Sequence, residues 1–268
     1  MQIGNWAQIV AKARRSAPRK ANGTADDWEA HWDDYASSAE ENPAQRFRRR
    51  VVFDLLERDG PPMRLLDIGA GQGDLLAGAV ERWPSCAVAG VELSGAGVAE
   101  ARRKAPSANV VQADLLHATP AIAARLGWAS HAVCSEVLEH VDQPAVLLRN
   151  ARPLLAPGCR IVITVPGGPR SAFDKHIGHR RHFTRTALGE VLADAGLTDI
   201  RVEAAGFPAF NLYKLVVLLR GKRLIEDAKA ATPSGATTVV TRAFDRLFDG
   251  ASGRGRFGWQ LVATATSP

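Results

Sequence analysis

The sequence predicts an α/β protein: a seven-stranded, mostly parallel sheet with helices on both faces. Three observations lead there. From residue 43 onward, short apolar runs alternate with amphipathic stretches of helical period. The runs are near-continuously apolar, as strands buried on both faces must be. A glycine-rich turn joins the first run to the helix after it. Strands that alternate with helices imply crossover connections and a sheet covered on both sides.

The elements follow in order. Residues 1–43 form an N-terminal helical extension, in which Ile3 to Arg15 is a basic amphipathic helix. Trp28, Trp32 and Tyr35 share one helical face there, which suits packing on the main domain or a lid over a ligand. Pro43 to Leu56 is a helix with Phe47, Val51, Val52 and Leu55 as its apolar stripe, and Gly60-Pro61-Pro62 stops the chain behind it. Strands are expected at 64–68, 87–93, 109–113, 131–135 and 160–165. Helices are expected at 74–83, 96–104, 120–126, 144–155 and 185–195. Residues 200–204 and 259–265 supply the sixth and seventh strands. Between them lies a stretch far longer than the roughly 12–15 residues of an ordinary loop. It contains two helical patterns, 212–226 and 239–248. The domains are therefore 1–43, an extension or lid; 44–204 plus 258–268, the core; and 205–257, a helical cap before the last strand.

Composition narrows the classes. The chain has 268 residues and a formal net charge of +6. The basic residues are scattered, with no basic-aromatic platform for nucleic acid. Cys86, Cys134 and Cys159 are far apart and odd in number, which argues against a disulfide framework and fits a reducing cytoplasm. The N-terminus lacks a signal-peptide core. The longest apolar run, Leu212 to Leu219, is too short to span a membrane and is broken by Lys214.

The motif that carries most is Leu65-Leu66-Asp67-Ile68-Gly69-Ala70-Gly71-Gln72-Gly73-Asp74. Glycines at the end of a strand allow a tight turn and close backbone approach to a ligand, with a helix N-terminus behind. The dinucleotide pattern Gly-x-Gly-x-x-Gly fails, because its sixth position is Asp74. Asp67 is awkward beside a pyrophosphate and suited to a loop around a cationic, zwitterionic ligand.

Asp-x-Gly-x-Gly-x-Gly after a first strand resembles motif I of the class I S-adenosylmethionine (SAM)-dependent methyltransferases, which have a Rossmann-like fold. The resemblance extends to Glu92, Asp114, the segment Cys134-Ser135-Glu136-Val137-Leu138-Glu139-His140-Val141, and Leu154-Leu155-Ala156-Pro157-Gly158 with the strand after it. It covers about 44–204 plus 258–266. It implies SAM as cofactor, held by Asp67, Gly69, Gly71, Gly73 and Ser135. Glu92 would accept from the ribose hydroxyls, and Asp114 would take the adenine amino group beside the Leu115 N–H. Arg46 would reach the SAM carboxylate, as in quinone-type members, although its spacing after Asn42-Pro43 differs by one residue.

The acceptor belongs past the carboxyl ends of the strands. Glu136 and His140 stand there, with the histidine-rich segment Asp174-Lys175-His176-Ile177-Gly178-His179-Arg180-Arg181-His182-Phe183-Thr184. Histidine titrates near neutrality and serves as base or orienting group, so His140 and His179 are the candidate bases, with Glu136 beside the methyl donor. The plainer reading has Thr184 capping a helix and the cations facing water. Glu136, Glu139 and His140 at i, i+3 and i+4 would share a helical face. Glu-x-x-Glu-His also resembles a metal-binding element of quinone-biosynthesis and small-RNA methyltransferases. One compact string is fewer ligands than a dedicated site has, so the reading adopted is metal: none.

The expected function is methyl transfer from SAM to a small molecule, hydrophobic or aromatic, quinone-like or natural-product-like, on oxygen or alternatively nitrogen. An RNA 2′-O-methyltransferase and a non-catalytic SAM-binding partner protein are the rivals. No DNA partner is expected. The cap at 205–257, rich in Phe207, Phe210, Leu212, Tyr213, Leu215, Val216 and Leu219, would close over the acceptor, or lie on a membrane surface.

Overall fold

In a computed structural model of the chain the described residues are 43–117, 127–220, 244, 246–248, 253–255 and 257–268. The expected helices before residue 43 and at 120–126 lie outside them, as does much of the 205–257 segment.

The alternation holds along the described chain: α1 (Pro43–Leu56), β1 (Arg64–Ile68), α2 (Asp74–Arg82), β2 (Ala87–Glu92), α3 (Gly95–Lys104), β3 (Asn109–Gln112) and β4 (Ala129–Ser135). A 3-10 turn over Leu138–His140 leads to α4 (Pro144–Ala151), a second 3-10 turn over Arg152–Leu154 and β5 (Leu155–Pro166). Then come α5 (Ala172–His176), α6 (Arg185–Asp194), β6 (Thr198–Ala205), α7 (Ala209–Arg220), β7 (Arg254–Gly255) and β8 (Gln260–Thr266).

The sheet order is β3-β2-β1-β4-β5-β8-β6-β7. β1 to β5 pair in parallel, whereas β8 runs antiparallel to both of its neighbours. This corrects the expectation of seven strands. The eighth, β7, is a two-residue edge strand antiparallel to Ala204 and Ala205. An Arg-Gly pair is too short to show any hydrophobic period and so carries no strand signal within 205–257.

Two further boundaries differ. The helix expected at 144–155 ends at Ala151, because Pro153 has no N–H to continue the ladder and the chain tightens into a 3-10 turn. The short helix α5 falls in the histidine-rich segment. Its capping box is Ser171 and Asp174: the Ser171 Oγ accepts from Asp174 N, and the Asp174 carboxylate accepts from Ser171 N.

Helices cover both faces. On one, α1, α2 and α3 pack Phe47, Val52, Leu56, Leu76 and Val98 against the sheet. On the other, α4 and α6 contribute Leu147, Leu148, Leu188 and Leu192. Each large side chain fully buried in this way contributes roughly 1.5–3 kcal/mol.

Described residues of the expected cap add side chains to the first of these cores. Phe210 of α7 packs on Phe47 of α1 with ring centroids 5.8 Å apart, and Phe248 stacks on Phe47 at 5.1 Å. Phe207, Leu212, Leu215 and Leu219 are exposed. Among the described residues, α7 thus buries Phe210 and Lys214 and leaves Leu212, Leu215 and Leu219 outward.

Candidate active site

The carboxyl ends of β1, β2, β4 and β5 converge, and the first half of the site is the turn after β1. Gly69, Gly71 and Gly73 have φ of 77°, 53° and 83°, in the left-handed region that favours glycine. Gly69 N and Ala70 N donate to Val91 O, which fastens the turn to β2. A Cβ on Gly73 would stand 2.6 Å from the Ala101 Cα, so that glycine lets α2 and α3 approach.

Glu92 ends β2, as expected, and its carboxylate organises the turn. One oxygen accepts from Gly71 N at 2.8 Å and the other from Ser94 N at 2.9 Å. Asp67 is 3% exposed, and burial together with the neighbouring Glu92 charge pushes its pKa up to about 7. Two buried carboxylates side by side are costly without a cation. That donor set fits a ligand carrying positive charge, so the residues present suit SAM.

Asp114 follows β3 and is held by Leu116 N, which donates to it at 2.8 Å, and by the His117 ring at 2.8 Å. Leu115 is buried, and its carbonyl accepts from the Asn150 amide.

The second half begins where β4 ends. Ser135 Oγ lies 2.8 Å from Thr164 Oγ1 on β5. Glu136 has φ of 56°, and its N–H donates to Thr164 O. A left-handed non-glycine residue costs about 1–2 kcal/mol, and such strain concentrates at functional sites. The expectation that Glu136, Glu139 and His140 share a helical face is therefore corrected. The 3-10 turn starts only at Leu138, Glu136 precedes it with a left-handed φ, and its carboxylate is outside the group of ligand atoms that Glu139 and His140 form with His179.

Glu136 meets a different set of partners. Thr164 Oγ1 donates to it at 3.1 Å, Gln260 Nε2 at 2.9 Å, and the Arg48 guanidinium pairs with it at 3.2 Å. Arg48, Thr164 and Gln260 were not among the sequence candidates. Arg48 is thus the arginine of α1 that pairs with Glu136, while the expected contact of Arg46 with the SAM carboxylate stays a proposal.

Glu139 is fully buried, and neither of its oxygens has a hydrogen-bond partner among the described residues. Burial, with the nearby Glu136 charge, holds its carboxyl well above the usual range. Its Oε1 lies 3.9 Å from His179 Nε2 and 4.0 Å from His140 Nε2, and the two rings meet edge to face at 4.7 Å. Glu139, His140 and His179 thus offer three ligand atoms within 4.8 Å of one another. An orphaned buried carboxylate facing two imidazoles fits a divalent cation. Glu136, committed to Arg48, Thr164 and Gln260, does not join that set.

A neighbouring group, Asp174, His179 and His182, has similar spacing but a different character. Lys214 of α7 places its ammonium 2.5 Å from Asp174, while Ser171 N and Oγ donate to the other carboxylate oxygen. The ammonium already supplies the positive charge there. Lys214 is nine-tenths buried, which explains a lysine within the apolar run of α7.

The histidine-rich segment is bound to the β4 turn. Arg180 N donates to Glu139 O at 2.9 Å, and the Arg180 guanidinium pairs with Asp142. Thr184 caps α6 as expected, accepting from Ala187 N. The two halves touch: a Cβ on Gly69 would meet the Val137 side chain at 2.5 Å. The glycine turn and the Glu139–His140–His179 cluster are therefore neighbours in space.

The sequence matches the family described as "Methyltransferase domain" over residues 41–202. The trans-aconitate 2-methyltransferase of Azoarcus sp. (strain BH72) is 36% identical over 126 residues, 46% of this chain and 47% of that protein. That of Methylobacterium nodulans is 33% identical over 141 residues, 51% of this chain and 50% of that protein. The chain spans about half the length of these curated relatives. Among solved structures, geranyl diphosphate C-methyltransferase from Streptomyces coelicolor A3(2) matches with a TM-score of 0.53 and 20% identity, covering 84% of this chain and 76% of that one. The N-methyltransferase NodS from Bradyrhizobium japonicum WM9 matches with a TM-score of 0.56 and 16% identity, covering 91% and 100%. These structural likenesses carry the fold.

Proposed function

The chain belongs to the methyltransferase-domain family of SAM-dependent class I enzymes, and from that premise we propose that it methylates a small-molecule acceptor bound at Glu139, His140 and His179. The observation that carries this is the orphaned, fully buried Glu139 beside two imidazoles, in contact through the Val137 turn with the glycine loop. A buried polar group left unsatisfied costs about 1–3 kcal/mol, which a polar ligand would offset.

When bound, the cofactor supplies an electrophilic methyl group on a cationic sulfur. The chain's own residues do the rest. Asp67 and Glu92 provide the negative field that favours a cationic ligand, while the glycines let the backbone approach it. Ser135 and Glu136, locked by Thr164, Gln260 and Arg48, hold the wall between the two halves. His140 or His179 accepts the acceptor's proton. Burial, with the neighbouring His140 charge, pushes the His179 pKa down to about 2, so the ring is neutral and offers its lone pair as a hydrogen-bond acceptor at the expense of basicity. A positioned imidazole base typically contributes 10²–10⁴-fold, most when its pKa lies near the working pH.

The acceptor we favour is an aromatic, quinone-like or natural-product hydroxyl. The names of the relatives widen the panel to tricarboxylic acids and prenyl diphosphates. Incubation with methyl-labelled SAM and phenols, quinols, carboxylic acids, prenyl diphosphates and RNA tests the reading. Label in a small molecule supports it, and label in RNA alone contradicts it.

A second reading adds a divalent cation at Glu139, His140 and His179. It is favoured by the third ligand, His179, which lies outside the compact string Glu136 to His140. A cation there would orient two acceptor oxygens. Loss of activity with EDTA, restored by magnesium or manganese, distinguishes it from the metal-free reading.

A further inference from the structure

The histidine-rich segment contains a hydrogen-bond chain whose direction is fixed by its far end. Gly168 O lies 3.1 Å from His182 Nδ1. A carbonyl only accepts, so that nitrogen carries the proton. His182 Nε2 lies 3.2 Å from His179 Nδ1. The His182 side chain is 6% exposed, and the Asp174 oxygen 3.8 Å from its Nε2 already accepts from Ser171 N and Oγ, so that carboxylate makes no hydrogen bond to a second proton on the ring. A neutral His182 protonated on Nδ1 has its lone pair on Nε2. The proton between the two rings then belongs to His179 Nδ1, and His179 Nε2 is left with its lone pair.

That lone pair faces Glu139 Oε1 at 3.9 Å and the His140 ring. Asp174 does not compete for the Nδ1 proton. It is 3.9 Å from His179 Nδ1, and its oxygens are engaged by Lys214 and Ser171. The segment is pinned on both sides, since Arg170 Nη1 donates to His179 O and Phe183 N donates to Pro166 O.

Resting on the reading of this cluster as the acceptor site, we propose that His182 is a positioning residue: with the Gly168 carbonyl it fixes His179 in the Nδ1–H tautomer, so that Nε2 presents a lone pair to whatever occupies the space before Glu139. For a neutral imidazole in water this is the minor tautomer. The relay thus selects the form in which His179 can accept a hydroxyl proton or ligate a cation, and excludes the form in which it could only donate.

The test is long-range proton–nitrogen NMR on the uniformly 15N-labelled full chain, with His179 and His182 assigned by substitution. In the wild type both residues should show a pyrrole-type Nδ1 and a pyridine-type Nε2. His182→Phe should turn His179 Nε2 pyrrole-type. It should also lower kcat roughly tenfold or more with little change in affinity for S-adenosylhomocysteine. His182→Gln, whose amide oxygen can accept from His179 Nδ1–H, should restore the wild-type His179 pattern. A pyrrole-type His179 Nε2 in the wild type overturns the proposal, and so does an unchanged tautomer in His182→Phe. If His182→Phe does not fold, the wild-type spectrum and His182→Gln still decide. The predicted tautomers with no transfer to any small molecule would leave this inference standing and sink the acceptor reading instead.

Discussion

Glu139 Oε1 and His179 Nε2 face each other at 3.9 Å, joined by the turn after β4 and the segment before α6. The carboxyl is buried without a hydrogen-bond partner among the described residues and has its pKa raised well above the ordinary carboxylate range. A raised folded-state pKa means a stability penalty that is absent below the unfolded pKa and grows as pH rises towards the folded one. Glu139→Gln should therefore raise the thermal midpoint at pH 8 and change little at pH 4. The expected gain is about 1–3 kcal/mol, read by calorimetric unfolding at the two pH values. Equal shifts at both would show that the carboxyl is not held in an unfavourable charge state.

Asp67 gives a second pH effect, on binding. Its pKa is pushed up to about 7 by burial and by Glu92. A cationic ligand lowers it again, so binding releases a proton when the pH lies near or below that value. Affinity for SAM should fall as pH drops below about 7. Asp67→Asn should remove that slope and weaken binding, while stabilising the free protein at pH 8 by up to roughly 2–4 kcal/mol. Titration calorimetry in buffers of different ionisation enthalpy reads the released proton. No buffer dependence would refute the assignment.

The glycines of the turn should separate by role. Gly71 has φ of 53°, and its N–H donates to Glu92. Gly71→Val adds backbone strain of about 1–2 kcal/mol and a side chain at the ligand-facing turn. It should abolish S-adenosylhomocysteine binding in a protein that remains folded. Gly73→Ala places a Cβ 2.6 Å from the Ala101 backbone and should chiefly lower stability by forcing α2 and α3 apart. Glu92→Ala should weaken binding by roughly 1–3 kcal/mol. Circular dichroism together with calorimetry distinguishes these outcomes.

Lys214 and Asp174 form a buried pair between α7 and α5. Lys214→Met leaves Asp174 as an uncompensated buried charge and should cost about 3–5 kcal/mol. The double variant with Asp174→Asn should recover much of that loss. A double-mutant cycle showing additive effects would mean that the two groups do not stabilise each other.

Much of this was legible in the sequence, and the physics explains which part. β1 through β6 were placed to within a few residues, except for the early start of β5 at Leu155. Strands buried on both faces have no polar alternation to blur them. Glu92 and the glycine turn could be placed because they close the first two strands and carry local chemistry. Arg48, Thr164 and Gln260 carried no local signal, and the partner of Lys214 was hidden, because each meets the site through a tertiary contact from a distant element. The helical spacing assumed for Glu136, Glu139 and His140 failed at one residue, where the left-handed φ of Glu136 sets it apart from the 3-10 turn. An isolated lysine within the apolar run of α7 was the one local trace of Lys214, since a charge on a buried face demands a partner.

Methyl transfer to a small molecule at the Glu139–His140–His179 cluster is tested by a methyl-labelled SAM assay over the acceptor panel with the wild type and His179→Ala, alongside S-adenosylhomocysteine binding for both. Label should enter one class of small organic acceptor and fall by roughly 10²-fold or more in His179→Ala, with equal binding by the two proteins. Undiminished transfer by His179→Ala, or transfer to RNA alone, would contradict it.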